Sequence, residues 1–388
     1  MDKIKELAEK HFAYAVEMRR EFHMHPEASM QEERTSARVA EELEKLGLAT
    51  EIVAGTGVVA TIEGKKGDKT IALRADMDAL ELEEENDLEY KSQNDGLMHG
   101  CGHDGHTASL LTAAKIINEL KEEFSGKVKL LFQPGEEVAE GAKAMVEAGV
   151  LADVDSVMGI HLWNELQTGK VSLEAGPRMA AVNLFKIDVK GKGGHGSMPQ
   201  QGVDALTAGA AVVMNLQSIV SREISPLDPS VLSVGIFKSG SRFNVLPGKA
   251  YLEGTTRCFS KELNDKFPQM IERVASETAQ GYRASIEMEY NKLTLPCIND
   301  EEMTEIGQKS VVDLFGEESL AHVEKTTGGE DFSFYTAELP GVFAFVGSKN
   351  EDKVEYHPHH HPKFNIDEAA LKVSAALYAK FALDFLKA

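Results

Sequence analysis

The sequence predicts an α/β protein that is interrupted by an inserted α+β domain. Its 388 residues exceed the roughly 250–300 at which a single hydrophobic core usually divides, so two domains are expected. Strand-like runs alternate with helix-like runs as far as Gly176-Pro177, which is typical of a layered α/β sheet. The order of elements then changes to βαββαβ until Leu295-Pro296, after which the alternation resumes.

The α/β domain is predicted to begin with two amphipathic helices. Apolar residues recur at helical spacing over residues 3–21 and 32–46. Short β-rich runs and helical stretches then alternate, as expected for strands and helices of one layered domain. The predicted elements are strands 58–62 and 71–75, helix 105–120, strand 128–132, helix 142–147 and strand 156–161.

The inserted domain is predicted over residues 180–291, which leaves residues 1–179 and 292–388 for the α/β domain. The order of its elements is that of the ferredoxin-like split βαβ sandwich. They are strand 184–189, helix 205–221, strands 231–237 and 249–258, helix 262–280 and strand 284–290. Helix 302–314, strand 342–346 and helix 368–386 complete the α/β domain.

Composition and charge exclude several classes of partner. The chain has 41 basic and 63 acidic side chains, a net charge of −22, which repels phosphate backbones and anionic lipid headgroups. We therefore expect neither nucleic-acid nor membrane-surface binding. The cysteines Cys101, Cys258 and Cys297 are too few and too scattered for a disulfide framework. With no signal-peptide pattern at the start and no apolar run near the ~18 residues of a membrane span, we expect a cytoplasmic protein.

The strongest chemical signal is the segment His-Gly-Cys-Gly-His-Asp-Gly-His at residues 99–106. Its glycines let the backbone fold around an ion, so that Cys101 and His103 can face one metal. A glycine-rich turn with a buried free cysteine and surface histidines explains this segment, taken alone, equally well. Titratable residues at the ends of other predicted strands favour the metal site over the turn.

Titratable residues follow several predicted strands. Glu136 and Glu137 follow the strand 128–132, His161 ends the strand 156–161, and Asp76 and Asp78 follow the strand 71–75. A pair of adjacent glutamates is usually only a solvated turn. However, the carboxyl ends of parallel strands share one edge of a sheet, where ligand sites form. The coincidence of these groups at that edge favours a functional site.

A further metal ligand is expected from the histidine-rich loop near the C-terminus. It contains His357, His359, His360 and His361, of which at least two can be exposed surface side chains. One of them, added to Cys101, His103, Glu137 and His161, gives a mixed N/O/S set that suits zinc or a similar divalent ion. Five protein ligands exceed one open tetrahedral site, which indicates two ions bridged by water and by the thiolate.

These motifs resemble those of the aminoacylase and carboxypeptidase clan of two-metal peptidases. Within it they resemble the amidohydrolase subfamily of hippurate hydrolases, auxin-conjugate hydrolases and bacterial N-acyl-amino-acid deacetylases. The resemblance runs the length of the chain and implies a metallopeptidase-type catalytic domain. Seven stretches occur in the order of the family: residues 20–27, 73–79, 99–106, 132–137, 159–163, 194–199 and 329–332.

The resemblance also implies the roles of individual residues. It makes Glu136 the general base and acid, and Asp78 the carboxylate that orients a ligating imidazole. The last ligand of the family is the histidine of a His-x-Pro-x-Phe pattern, which here selects His360 over His361. The implied metal ligands are Cys101, His103, Glu137, His161 and His360.

The inserted domain is implied to mediate dimerisation, as a homodimer or a tetramer, and to carry His195, Asn244 and Arg257 toward the substrate. Two divalent ions per subunit are implied, zinc first, with manganese, cobalt or nickel as alternatives. His195 would donate a hydrogen bond to the oxyanion, while Arg257, Asn244 or the amides near Gly329 would bind an α-carboxylate. From the sequence alone, a surface ion pair in this acidic protein is the favoured explanation of Arg257.

We therefore predict a metal-dependent amidohydrolase that cleaves N-acyl amino acids, with acetyl or aromatic acyl groups, to a carboxylic acid and a free amino acid. Glu136 would take a proton from water and pass it to the departing nitrogen. A dipeptidase or aminopeptidase of the same clan is one alternative. The other is a noncatalytic dimeric scaffold with structural zinc, for which a carboxylate such as Glu136 beside a ligand would have no use.

Overall fold

The computed structural model describes residues 2–387, so the predicted domain ends at residues 1 and 388 lie just outside the described residues. The helices are α1 (Asp2–Lys10), α2 (Phe12–Met24), α3 (Glu33–Lys45), α4 (His103–Glu119), α5 (Gly141–Glu147), α6 (Ala205–Ser218), α7 (Lys261–Gly281), α8 (Glu301–Phe315), α9 (Ser333–Glu338) and α10 (Ala369–Phe385). The strands are β1 (Thr50–Val53), β2 (Gly57–Glu63), β3 (Lys65–Asp76), β4 (Ser125–Gln133), β5 (Ser156–Gln167), β6 (Val171–Ser172), β7 (Gly176–Met179), β8 (Ala181–Lys190), β9 (Gly194–His195), β10 (Ser230–Ser239), β11 (Val245–Leu246), β12 (Lys249–Cys258), β13 (Ser285–Thr294), β14 (Cys297–Asn299) and β15 (Gly341–Lys349).

The chain divides into two units, which we call the first and the second unit. The first comprises the chain as far as Arg178, Ile298–Glu324, and the chain from Asp331 onward. The second comprises Met179–Cys297 and Lys325–Glu330. Each unit therefore includes segments that are far apart in the sequence.

A seven-stranded mixed sheet forms the centre of the first unit, in the order β1-β2-β4-β3-β5-β15-β6. The four central strands β4, β3, β5 and β15 are parallel, whereas the pairs β1 with β2, β2 with β4, and β15 with β6 are antiparallel. The carboxyl ends of the four parallel strands consequently lie along one edge of the sheet. The mixed α/β class predicted from the sequence is confirmed.

Helix α4 is held in place by its neighbours in the first unit. It is buried from His103 to Ala114 and again at Ile116 and Ile117, and it packs against α2 and α10. Helix α10 is itself buried along almost its whole length. Because each fully buried aliphatic side chain stabilises the fold by about 1.5–3 kcal/mol, this packing holds the first turn of α4 in place.

The second unit has a four-stranded antiparallel sheet in the order β10-β12-β8-β13. Its helices α6 and α7 contact each other and pack on strands of this sheet. The element order β8, α6, β10, β12, α7, β13 is the βαββαβ order of the prediction. A buried apolar cluster that includes Phe185, Ile187, Leu252, Phe267 and Ile271 forms the core of this unit.

Two of the predicted elements of the first unit differ from the prediction because of tertiary contacts. The single helix expected over residues 3–21 is divided at His11, whose ring contacts Glu119 of α4 with an Nε2–Oε1 distance of 2.7 Å. The strand expected to end at His161 continues to Gln167, because β15 pairs with it as far as Lys349. Neither tertiary contact is visible in local periodicity. Over residues 2–387, none of the helices combines the length and the apolar character needed to span a lipid bilayer.

Candidate metal centre and active site

The predicted donors of the first unit meet at the carboxyl edge of its parallel strands. Strand β4 ends at Gln133 and is followed by Glu136 and Glu137, while β3 ends at Asp76 and is followed by Asp78. The pairing between β3 and β5 stops at Gly159, so His161 lies just beyond the point where β3 leaves β5. His161 thus reaches the same edge although its own strand continues.

Helix α4 begins at this edge and brings two further donors. Gly102 precedes the helix with φ of +98°, a left-handed conformation that a side chain would disfavour. This turn lies between Cys101 and His103. A Cβ atom added at Gly105 would lie 2.5 Å from Cδ1 of Leu162, so glycine allows the first turn of α4 to approach β5.

The structure brings all five predicted metal ligands together in two overlapping groups. One group is Cys101, His103 and His161, and the other is Cys101, Glu137 and His360; within each group the donor atoms lie within 4.8 Å of one another. The Sγ atom of Cys101 is 3.5 Å from Nε2 of His161. Oε1 of Glu137 is 3.5 Å from Nε2 of His360. Because Cys101 belongs to both groups, these donors can hold two ions that share its thiolate.

Unsatisfied polar atoms support a metal at this position. Among residues 2–387, Nε2 of His103 and Oε1 of Glu137 have no hydrogen-bond partner although both atoms are buried, and they lie 3.9 Å apart. Nδ1 of His103 contacts Asp78, and Nδ1 of His161 is 2.8 Å from the carbonyl oxygen of Leu162. Each imidazole thereby keeps Nε2 available as a ligand. The residues present therefore fit a divalent cation.

The shifted pKa values of three donors also support a bound cation. Burial raises the pKa of Glu137 to about 7. Burial, reinforced by the carboxylate of Glu137, raises the pKa of Cys101 well above its ordinary value. The pKa of His103 is raised well above its ordinary value because Asp76 and Asp78 outweigh the opposing effect of burial. These groups hold protons that a bound cation would displace.

Of the C-terminal histidines, His360 is the one that faces the donors. Its backbone is left-handed, with φ of +64°, and its Nε2 atom faces Glu137. His361 instead stacks on His357 with ring centroids 4.5 Å apart. The ring of His359 packs on the ring of His161 at 5.2 Å, and its Nε2 atom accepts a 3.4 Å contact from the amide of Asn164. His360, and not His361, thus lies beside Glu137, and its role as a ligand stays a prediction.

Comparison with known proteins identifies the family. Residues 72–384 match the family model described as Peptidase family M20/M25/M40. The chain belongs to peptidase family M20/M25/M40. The predicted clan is thereby confirmed, and with it an enzyme that hydrolyses amide bonds.

Relatives in the M20 family are similar over most of their length. An N-acetylcysteine deacetylase of Bacillus subtilis is 38% identical over 374 residues, which cover 96% of this chain and 97% of the relative. An N-acyl-L-amino acid amidohydrolase of Geobacillus stearothermophilus is 45% identical over 303 residues, or 78% of this chain and 82% of the relative. The crystal structure of a dinuclear metal-binding M20 peptidase of Bacillus subtilis has a TM-score of 0.87 and 34% identity, covering 98% of this chain and 99% of that one.

Two of the predicted substrate-binding residues, His195 and Asn244, lie close together in the second unit. His195 in β9 pairs with Val245 in β11, and the amide of Gly196 donates to the carbonyl of Asn244 at 2.9 Å. Nδ1 of His195 accepts the amide N–H of Ser197 at 3.1 Å. A nitrogen that accepts an amide hydrogen carries no proton, so in neutral His195 the proton resides on Nε2, which can donate.

Arg257 and Gly329 lie at the opposite end of the same four-stranded sheet. Arg257 is paired with Val182, and a Cβ atom at Gly329 would lie 2.4 Å from Cγ2 of Val182. His195 and Asn244 lie beyond Lys249, at the other end of β12. The strand from Lys249 to Arg257 spans about 26 Å at the usual rise per residue. The four predicted substrate-binding residues therefore lie in two separate pairs at opposite ends of the sheet.

Sequence reasoning missed the role of His106. Its Nδ1 atom lies 2.6 Å from Oδ1 of Asp76, and its Nε2 atom accepts the amide of Leu162 at 2.8 Å. Both ring nitrogens therefore form hydrogen bonds, and the bond to Leu162 connects α4 to β5 directly beside His161. Its position three residues after His103, on the same helical face, is the signal that could have identified it.

Asp76, which the sequence analysis placed at a strand end without giving it a role, is a second such residue. It is fully buried and accepts from Nη1 of Arg74 at 2.7 Å. Although burial opposes ionisation, the positive charges of His103 and Arg74 hold the pKa of Asp76 well below its ordinary value. The ionised carboxylate stabilises the N–H of His106 and the ring of His103, whose Nε2 atom lies 3.7 Å from Oδ2 of Asp76.

Proposed function

We propose that this protein is a metal-dependent amidohydrolase that releases a free amino acid from an N-acyl amino acid. The observation that carries the proposal is the convergence of a thiol, three imidazoles and Glu137 at one sheet edge, with Glu136 beside them. The names of the M20 relatives, a deacetylase of N-acetylcysteine and an amidohydrolase of N-acyl-L-amino acids, support this substrate class.

The proposed cofactor is a pair of divalent ions, zinc first, with manganese, cobalt or nickel as alternatives. The Bacillus subtilis M20 peptidase described as dinuclear and the two overlapping donor groups support this number. The proposed ligands are Cys101, His103, Glu137, His161 and His360. When bound, such ions acidify a water molecule to a pKa of roughly 7 and polarise the acyl carbonyl.

Glu136 is the proposed general base and acid. A carboxylate oxygen of Glu136 lies within 4.8 Å of donor atoms of His103 and Glu137, so it is held beside the ligands. From this position it can accept a proton from the attacking water and pass it to the departing nitrogen. Asp78, buried beneath the site, would orient His103 and the Glu137 backbone.

Substrate recognition is assigned to the second unit. Arg257 is half-buried, its Nη1 atom donates to the hydroxyl of Thr255 and the carbonyl of Thr256, and it forms no ion pair with any described residue. Its other N–H groups are therefore available for an α-carboxylate. The surface ion pair considered from the sequence is therefore not supported. Gly329 lies near Arg257 and can contribute its amide, while His195 donates from Nε2 to the developing oxyanion and Asn244 lies next to it.

We further propose that His195 and Asn244 act on the active site of a partner subunit. The two pairs of residues at opposite ends of the sheet are too far apart for one copy to contact one small substrate with both. In a two-fold dimer, one copy can supply Arg257 and Gly329 and the other His195 and Asn244. The predicted dimerisation role of residues 180–291, the alternative of a tetramer, and a cytoplasmic location also remain proposals.

The proposal is tested by incubating metal-analysed protein with a panel of N-acyl amino acids and free dipeptides. Release of the amino acid from N-acetyl or N-aroyl substrates, absent in Glu136→Gln protein with the same metal content, would support it. Faster cleavage of dipeptides with a free α-amine would instead identify a dipeptidase or aminopeptidase. No turnover of either class by metal-loaded protein would favour a noncatalytic scaffold.

A further inference from the structure

A buried carboxylate lies beneath the loop that carries Glu136 and Glu137. Glu32, at the start of α3, has no exposed surface. Its Oε1 atom accepts the backbone N–H of Gly135 at 2.9 Å. The proposed mechanism gives Glu32 no role, and an isolated carboxylate is costly to bury.

The carboxylate of Glu32 accepts two further hydrogen bonds, from groups outside this loop. Oε1 also accepts the amide of Met30 at 2.8 Å, and Oε2 accepts the hydroxyl of Thr56 at 2.5 Å. Met30 itself has a left-handed backbone, with φ of +63°. Its sulfur lies against Gly135, 2.4 Å from the position that a Cβ atom would occupy there. The segment that contains Met30 and Glu32 is therefore shaped to fit Gly135.

The segment that contains Met30 and Glu32 is also linked to the residue that follows Glu136, through Asp78. The hydroxyl of Ser29 donates to Oδ2 of Asp78 at 2.6 Å. The same oxygen accepts the amide of Glu137 at 3.0 Å. The backbone amides immediately before and after Glu136 are thus both held, one by Glu32 and the other by Asp78.

We propose that Glu32 is a positioning residue for Glu136: by holding the amide of Gly135, it fixes the direction in which the Glu136 side chain leaves the loop. This inference rests on the proposed function, in which Glu136 transfers the proton. Proton transfer requires heavy-atom distances of about 2.6–3.2 Å, so a loop that drifts by 1 Å loses catalysis. Glu32 acts through Gly135 and does not touch the reacting atoms.

The charge of Glu32 has a cost that is consistent with a functional role. Burial raises the pKa of Glu32 even though hydrogen bonds from Thr56 and backbone amides favour the charged form. A raised pKa means that the folded protein is less stable with the ionised carboxylate than it would be if the group were exposed. The hydrogen bonds of Glu32 to Met30, Gly135 and Thr56 are therefore kept at a cost in stability.

Two substitutions separate the hydrogen bonds from the charge. Glu32→Gln removes the charge but keeps an oxygen that can accept the amides of Met30 and Gly135. Glu32→Leu is similar in size and leaves both amides without an acceptor. Thr56→Val is the matched control, because it removes the outer hydrogen bond to Glu32 without changing the bond to Gly135.

The experiment measures kcat, KM, metal content and hydrogen exchange of the peptide that spans Gly135 in each variant. We expect Glu32→Leu to lower kcat at least about 10-fold with KM and metal content near those of the parent, and to speed exchange at Gly135. Glu32→Gln and Thr56→Val should stay within about threefold of the parent kcat. If Glu32→Leu does not fold, Glu32→Asp, which shortens the reach by one methylene, should give the same pattern.

Two outcomes would overturn the inference. One is a Glu32→Leu or Glu32→Asp protein with the kcat and exchange rate of the parent. The other is a loss of kcat that simply follows a loss of metal, because that result would assign Glu32 to the metal site as a whole. Failure of the proposed function is distinguishable, since the parent would then show no turnover, while hydrogen exchange would still test whether Glu32 holds Gly135.

Discussion

Nδ1 of His103 lies 2.9 Å from the carbonyl oxygen and 3.2 Å from Oδ1 of Asp78, so two oxygens of one residue fix the plane of this imidazole. The ring can then present only Nε2 to the other donors. Asp78 also accepts from Ser29 and from the amide of Glu137, through its second oxygen. One buried carboxylate thus aligns two of the proposed ligands.

From this relationship we predict that Asp78→Ala weakens metal binding by roughly 10–100-fold, because His103 loses its orienting acceptor. Competition with a metal chelator measures the change. Ser29→Ala is the control, since it removes one donor to Asp78 but leaves the contact with His103. Equal metal affinity in Asp78→Ala and the parent would contradict the assignment.

Glu136 and Glu137 should behave differently although they are neighbours. Glu136→Gln keeps the shape of the side chain and removes only proton transfer, so we predict full metal content and turnover reduced at least ~10²-fold. Glu137→Gln should instead lose metal, because an amide is a poorer ligand than a carboxylate. Metal analysis beside steady-state kinetics distinguishes the two, and the reverse pattern would mean that the roles are exchanged.

Metal affinity should depend on pH through Glu137. Because burial raises its pKa to about 7 in the metal-free protein, the carboxylate is protonated below that pH and must release a proton to bind a cation. Apparent affinity should therefore fall as the pH decreases through about 7. The same shift makes ionised Glu137 unfavourable in the folded state, so the stability of the metal-free protein should decrease as the pH rises from about 4.5 to about 7.

Metal titrations between about pH 5 and pH 8 check this prediction. In Glu137→Gln the amide cannot titrate, so binding should be weaker overall but its dependence on pH should be shallower, by about one proton. His103 and Cys101 also release protons, and both remain in the variant. An identical slope in parent and variant would show that Glu137 does not exchange a proton for the cation.

Complementation tests whether His195 acts in the partner subunit. Glu136→Ala and His195→Ala homodimers should each be nearly inactive, whereas a mixed dimer would contain one site with both groups intact. Random pairing makes half of the dimers mixed, each with one complete site of two, so activity should recover to roughly a quarter of that of the parent. Verified heterodimers without recovered activity would refute the assignment and leave those of Glu136 and the metal ligands unaffected.

Much of the fold was predictable because it depends on local pattern. The βαββαβ order of the second unit follows from period-two and period-3.6 hydrophobicity, and each of its main elements lies where the pattern placed it. Short elements such as β1, β9 and α9 were not predicted. They are held by tertiary pairing, as in the bridge between His195 and Val245, and carry too few residues for a periodic signal.

The candidate site was predictable to the extent that it consists of chemically distinctive residues at strand ends. Cys101 could be proposed from its glycine-rich segment, and His161 and the Glu136-Glu137 pair from their positions at the ends of predicted strands that share one sheet edge. The burial of Glu32 and the contacts of Asp76 could not be predicted, since an acidic residue in a charged sequence gives no sign of buried partners. Their partners, Gly135 and His106, lie far away in the sequence and are identified only by the fold.

Removal of metal followed by its stepwise return tests whether two bound ions activate this site for hydrolysis of N-acyl amino acids. Chelated parent protein is assayed for amino-acid release while zinc or manganese is added in steps, beside Cys101→Ala, which lacks the donor shared by both groups. We expect that chelation abolishes release, that activity returns and saturates near two ions per subunit, and that Cys101→Ala recovers little. Full activity in rigorously metal-free parent protein would contradict this expectation.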